Sequence, residues 1–169
     1  MSSTQAESGE ELLHVALVRP EIHPNTGNIA RLCAANRLPL HLVGALGFRI
    51  DDRSVRRAGL DYWPLVDLRR EETLEELQAK LSGARFFLFS ARADRLYTEV
   101  AYQAGDCLVF GPESTGLPED LLRARWAHAV RIPMRSGRVR SLNLATAVGI
   151  AVYEALRQLL PLQGRSGGG

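Results

Sequence analysis

The segment HVALVRPEIHPNTGNIARLCAA, residues 14–35, holds the unit from which the architecture follows. His14–Val18 is rich in β-branched residues and reads as a buried strand. A polar turn containing glycine comes next. Ile29, Leu32 and Cys33 then recur at helical spacing over Asn28–Ala35, with Asn25 and Thr26 as candidate caps. Strand, polar turn and helix make one half of a crossover unit, and the rest of the chain repeats the pattern. Leu40–Val43, Arg85–Phe89, Cys107–Phe110 and His128–Ile132 read as further buried strands. Arg53–Ala58 reads as a short helix, and Glu71–Leu81 as an amphipathic one with Leu74, Leu77 and Leu81 inward. Pro118–Trp126 is predicted helical, with proline in its first turn. Leu142–Leu160 forms a long last helix with Leu142, Ala145, Val148, Val152, Leu156 and Leu159 on one stripe. Apolar strands separated by helices predict a mostly parallel sheet covered on both faces: one α/β domain over residues 12–160. Residues 1–11 and 161–169 lack apolar periodicity and are expected to be disordered or flexible tails.

The 169 residues suit one domain, and 46% hydrophobic with 24% charged residues is ordinary globular composition. A chain of this size buries roughly 70% of its unfolded surface, so a core forms without disulfides or metal. Disordered, collagen-like and disulfide-scaffold classes are excluded. No run approaches the ~18 apolar residues of a membrane-spanning helix. Met1–Glu11 is polar and acidic, the reverse of a signal peptide. Cys33 and Cys107 lie far apart, without metal-ligand spacing, and are expected to be buried thiols in the cytoplasm.

The net charge is only +2, yet Lys80 is the lone lysine among 21 basic residues. Codon bias would explain that. So would phosphate recognition, because the guanidinium fork grips phosphates bidentately. Arg53, Arg56 and Arg57 form one cluster, and Arg135, Arg138 and Arg140 form another within a Gly/Ser-containing stretch. Two local basic patches on a nearly neutral chain suit a protein that grips a limited piece of nucleic acid.

Three segments marked by glycine or asparagine follow strands. In the first, Asn25–Arg31, helix capping competes with ligand binding at a strand-to-helix turn, and Arg31 is expected beside the Asn25 side of the turn. The second, FGPESTGLP over 110–118, has the frame of a phosphate loop, but Leu117 stands where such a loop requires lysine. No Gly-x-Gly-x-x-Gly follows the first strand, so a dinucleotide site is also disfavoured. Glu113 would repel phosphate and favour a cationic or hydroxyl-bearing ligand. In the third, Ile132-Pro133-Met134 leads through the arginine-rich stretch to Ser141-Leu142-Asn143-Leu144. There Ser141 is a candidate cap for the last helix, and Asn143 needs a polar partner.

Together, VRPEIHPNTGNIARLCAAN (18–36), RRAGLDYW (56–63), FGPESTGLP and IPM…SLNL resemble the SPOUT class of RNA methyltransferases. The resemblance covers residues 12–160 and is nearest to the tRNA (cytidine/uridine) wobble 2′-O-ribose methyltransferase family. It implies a C-terminal trefoil knot, a topology that general rules of chain connection disfavour. It also implies S-adenosyl-L-methionine bound against Phe89, Ser90, Gly111, Ile132, Met134, Ser141 and Leu142; Glu113 and Gly116 of the same glycine loop are expected to join them, Glu113 through ribose hydroxyls or the sulfonium charge. The implied reaction is in-line transfer of methyl to a ribose 2′-oxygen of the anticodon wobble nucleotide. Arg31 is then the group acting on the 2′-hydroxyl, with Asn25, Ser141 and Asn143 around it. A guanidinium does not readily release its proton, so holding phosphate and stabilising a developing alkoxide suits Arg31 better than the role of base.

The family also implies a homodimer in which one subunit's arginine helps the other's site. The dimer would grip the anticodon stem-loop through Arg56, Arg57, Arg135, Arg138 and Arg140. Tyr62 or Trp63 would stack on an unpaired base or else pack in the core. The four histidines are scattered and no metal is expected. Ala145 and Thr146 depart from the family pattern of Ser and Asn. They motivate a rival reading as a catalytically silent RNA-binding dimer, beside methylation of another tRNA or rRNA ribose and a flavodoxin-like small-molecule binder.

Overall fold

The computed structural model describes residues 11–50 and 62–161. Seven strands form one sheet in the order β3-β2-β1-β6-β4-β7-β5, and every pairing is parallel. They are β1 (Leu13–Val18), β2 (Leu40–Val43), β3 (Leu68–Glu71), β4 (Phe86–Phe89), β5 (Arg95–Leu96), β6 (Asp106–Phe110) and β7 (Ala129–Arg131). Among the described residues the α-helices are α1 (His23–Ala35), α2 (Leu74–Lys80), α3 (Glu119–Ala124) and α4 (Leu144–Leu159).

Strand alternation splits the core into two layers. Val15, Leu17, Leu40, Leu42, Leu108 and Phe110 face α1 and α4, where they meet Ile29, Cys33, Val148, Val152 and Leu156. Ala16, Val43, Leu88, Cys107 and Val109 face the other way, onto Leu74, Leu77 and Leu122 of α2 and α3. Helices on both faces of a parallel sheet are the expected arrangement, because each face must be covered. Among the described residues, no helix is long and apolar enough to cross a membrane.

Several boundaries differ from the sequence reading. Strands β3 and β5 were not expected; both are edge strands, and β3 reads LRRE, with a charge at three of its four positions. Edge strands carry charge because it discourages pairing with another chain. Glu71 therefore ends a strand, and α2 starts at Leu74, where the Thr73 side chain accepts from the Glu76 N–H. Helix α3 stops at Ala124, and Trp126–His128 is a separate 3₁₀ turn. Helix α1 begins at His23, a turn earlier than expected, so Asn25 and Thr26 lie inside it rather than capping it. Helix α4 begins at Leu144, capped by Asn143 rather than Ser141. The helix expected at Arg53–Ala58, with Arg53, Arg56 and Arg57, lies outside the described residues.

Candidate active site

The turn after β1, the ends of β4 and β6, and the segment from β7 to α4 meet at the carboxyl edge of the sheet. Ligands bind at this edge in open α/β sheets. Here the segments border one open cleft of about 760 Å³, within the range of small-molecule sites. Asn25, Gly111 and Ser141, one from each marked segment, line it together.

A hydrogen-bond relay holds the three segments in place. The Thr146 N–H donates to the Asn143 side-chain oxygen at 3.2 Å, and the Asn143 amide donates to the Asn25 side-chain oxygen at 3.0 Å. The Asn25 amide in turn lies 3.5 Å from Glu113 Oε1. Glu113 also accepts from the backbone N–H groups of Glu21 at 2.7 Å and Ile22 at 3.1 Å. It thereby satisfies donors at the entry of α1, where no local side chain acts as cap. A carboxylate there also complements the positive end of the helix dipole. Both Glu113 oxygens are thus engaged within the protein, although the residue still lines the cleft. Nothing in the local sequence pointed to this, because the partners are more than ninety residues apart.

The walls are largely apolar. Phe89 stacks on Phe110 with ring centroids 4.6 Å apart, at the ends of two neighbouring strands. Ile132, Leu142, Leu144 and Ala147 add further apolar surface, and Ser90, Met134, Gly116 and Arg140 also line the cleft. The loop 111–116 doubles back tightly, with Gly116 N–H donating to the Pro112 carbonyl at 2.8 Å. A Cβ on Gly111 would stand 2.3 Å from the Gly116 carbonyl carbon, so only glycine fits. Gly116 itself adopts φ +68°, in the left-handed region.

Every expected methyl-donor residue lies on this cleft: Phe89, Ser90, Gly111, Glu113, Gly116, Ile132, Met134, Ser141 and Leu142. Asn25 and Asn143 join them. Phe110 and Arg92 also line it and were missed, although both sit beside strand ends that the sequence had marked.

Arg31 does not line the cleft. It stands exposed on another face of α1, with its guanidinium carbon 5.8 Å from the centre of the Tyr62 ring. Arg31 is six positions beyond Asn25, and at 3.6 residues per turn that places them about 120° apart around the helix. The expectation that Arg31 sits on the Asn25 side of the turn is therefore corrected. Tyr62 donates its hydroxyl to the Gly27 carbonyl at 3.0 Å, and burial raises its pKa against the opposing charge of Arg31. Trp63 packs against the core. Of the second arginine cluster, Arg140 lines the cleft, whereas Arg135 and Arg138 are exposed outside its lining. Arg56 and Arg57 lie outside the described residues.

Among the described residues no histidine lines the cleft, and no cluster of three or more metal-ligating side chains occurs. The cleft thus offers shape, apolar walls and fixed amides.

Comparison with known proteins gives a consistent answer. Residues 12–153 match the model of the SpoU rRNA Methylase family. A Yersinia pestis protein named tRNA (cytidine(34)-2′-O)-methyltransferase is 45% identical over 154 residues, spanning 88% of this chain and 94% of its own. A solved structure concerned with the 2-OH methylation of C/U34 on tRNA superposes with TM-score 0.81 at 52% identity, covering 89% of this chain and 98% of that one. The SpoU methyltransferase AviRb of Streptomyces viridochromogenes, solved in complex with the cofactor AdoMet, superposes with TM-score 0.74 at 26% identity. That match covers 89% of this chain and 58% of AviRb.

Proposed function

This chain belongs to the SpoU rRNA methylase family, and on that premise we propose that it is a tRNA 2′-O-ribose methyltransferase acting on the wobble nucleotide, cytidine or uridine. The observation that carries the proposal is the Asn143–Asn25–Glu113 relay, which gathers three distant segments around one cleft.

The cleft suits S-adenosylmethionine as methyl donor. Its volume of about 760 Å³ accepts a nucleoside carrying an amino-acid arm. Phe89, Ile132 and Leu142 offer apolar surface to a purine, while Ser90, Ser141 and the glycine-exposed backbone of 111–116 offer polar edges. The bound donor supplies an electrophilic methyl on a sulfonium. Asn25 and Asn143, fixed by each other, present amide groups at the cleft wall, where they can orient a ribose hydroxyl. Holding oxygen and methyl in line supplies on the order of 7–11 kcal/mol of the barrier.

Arg31 holds substrate phosphate and stabilises the charge that develops on the 2′-oxygen. Its place on another face of α1 from Asn25 favours a homodimer in which Arg31 of one subunit serves the partner's cleft. The C-terminal trefoil knot belongs to the same reading: it would carry the 141–144 segment against the glycine loop. Arg140, together with Arg56, Arg57, Arg135 and Arg138, grips the anticodon stem-loop. A tRNA substrate and two free, buried thiols suit the cytoplasm.

Ribose-methylation mapping by mass spectrometry, on tRNA from cells with and without the protein, tests the proposal. Loss of the 2′-O-methyl mark at the first anticodon nucleotide is expected. A mark lost at another ribose would move the target, and no lost mark would favour a silent RNA-binding dimer. Purified Arg31→Ala is expected to bind S-adenosylmethionine normally and to lose transfer.

A further inference from the structure

A second cleft, of about 620 Å³, lies on the far side of the glycine loop. Pro112, Thr115, Gly116 and Arg92 line both clefts, so the loop is a shared wall. Three tight backbone features shape it. Arg19, the residue after β1, has φ +47°, a conformation that non-glycine residues rarely adopt and that costs of order 1–2 kcal/mol. Gly44 has φ +81°, and a Cβ there would stand 2.9 Å from Arg19 Cγ, so the arginine stem lies in a slot that only glycine leaves open. At Gly47 a Cβ would come 2.9 Å from the Glu21 backbone, which holds the 44–47 segment hard against 19–21. A strained arginine seated in a glycine slot at a cleft invites a functional explanation.

The cleft carries a net positive charge: Glu119 is paired with Arg123 at 2.8 Å, which leaves Arg19 and Arg92 against the single carboxylate of Glu21, itself held by the Ser114 hydroxyl at 2.7 Å. Arg19 and Arg92 form no ion pair among the described residues. Two exposed guanidiniums thus flank a nucleotide-sized cavity that adjoins the methyl-transfer cleft.

We propose that this second cleft is a subsite for the phosphodiester backbone of single-stranded RNA next to the methylated ribose, with Arg19 and Arg92 gripping phosphate. The inference rests on the RNA-methyltransferase reading above. It adds two arginines outside both clusters that the sequence made conspicuous. Guanidinium–phosphate contacts are strong and bidentate, and each releases counterions on binding.

Arg19→Gly is the discriminating variant, because glycine adopts φ +47° without strain and only the side chain is lost. The full-length protein should keep its thermal stability and its calorimetric affinity for S-adenosylmethionine. Its Kd for an unmodified tRNA transcript should rise roughly tenfold. The slope of log K against log salt should shrink by about 0.7, as for one lost contact to single-stranded nucleic acid. Arg92→Gln should weaken tRNA binding in the same direction, and the double variant more than either. Unchanged tRNA affinity and salt slope in Arg19→Gly, with wild type still methylating tRNA, overturns the subsite alone. Failure of the wild type to bind and methylate tRNA overturns the reaction and the subsite with it.

Discussion

The Asn143 side-chain amide donates to the Asn25 side-chain oxygen at 3.0 Å, across 118 residues of sequence. Asn143 is also the N-cap of α4, so one side chain starts a helix and fixes a neighbour at the cleft. Asn143→Ser separates the two jobs. Serine caps about as well as asparagine but is too short to reach Asn25. Capping should survive, so the stability cost is that of the lost bond to the buried Asn25 side chain, about 1–1.5 kcal/mol, while methyl transfer by the folded variant falls roughly tenfold or more. Unchanged turnover in the folded variant would assign the residue to structure alone.

Gly111 and Gly116 should respond differently to alanine. At Gly111 the new methyl collides with backbone at 2.3 Å, and the loop must open. Gly111→Ala should abolish calorimetric binding of S-adenosylmethionine. At Gly116 there is open space, and the cost is the left-handed φ alone, about 1–2 kcal/mol. That variant should still bind. Similar behaviour of the two would show that the turn is not what shapes the cleft.

Tyr62 reaches α1 in two ways, through its hydroxyl to Gly27 and its ring beneath Arg31. Tyr62→Phe keeps the ring and should lose a few-fold in kcat, whereas Tyr62→Leu loses both contacts and should lose more. A cation–π contact at an exposed site is worth about 0.5–1 kcal/mol, or two- to fivefold. Identical kcat values in the two variants would remove the ring from any part in steering Arg31.

A buried polar chain crosses the sheet away from the cleft. His14 Nδ1 lies 2.9 Å from His41 Nε2, and His41 Nδ1 lies 3.1 Å from Glu71 Oε1. Glu11 and Arg69 stand at one end and Lys80 at the other. Burial, followed by the facing His41 ring, pushes His14 down to about 4; burial also lowers His41, against the pull of Glu71. A depressed histidine pKa means that the unfolded chain takes up protons first. Stability should therefore fall as pH drops from about 6.5 toward 4, by up to about 3 kcal/mol from His14. Urea unfolding at pH 7, 5.5 and 4.5 measures this, and His14→Asn should flatten the slope. A wild-type stability that does not change over that range would contradict the buried neutral pair.

Both thiols should be inert in the native state. Burial pushes Cys33 up to about 12 and raises Cys107 as well. Thiolate is the reactive form, so a disulfide reagent should label neither residue until urea unfolds the chain. Rapid labelling at pH 8 without denaturant would show an opening that the fold does not contain.

The apolar strands and the last helix were legible because their signal is local: CLVF and HVALV can hardly be anything but buried, and the α4 stripe repeats at helical period. The three marked segments were legible as site material for the same reason. What escaped was set by distant partners. The start of α1 depends on Glu113, a cap supplied through space, so Asn25 and Thr26 looked like the local caps. β3 was hidden because an edge strand needs neither apolar run nor alternation when β2 supplies its hydrogen bonds. Asn143 and Ser141 are both competent caps, and only the backbone path between β7 and α4 selects the first. Arg31 was misplaced by counting one turn from Gly27 instead of six residues from Asn25.

The interior strand β1 pairs on one side with β6, the middle strand of the sheet, and Leu13 meets Asp106 across that ladder. A nascent chain leaving the ribosome therefore carries an unfinished sheet through more than half of its synthesis. The amino-terminal helix waits equally long for the acid that completes its first turn. Closing such long loops is slow because their entropy must be lost before any pairing rewards it. Assembly from the unfolded chain should accordingly take milliseconds to seconds, and the β1 edge that waits for β6 during that interval is where cellular chaperones would find work.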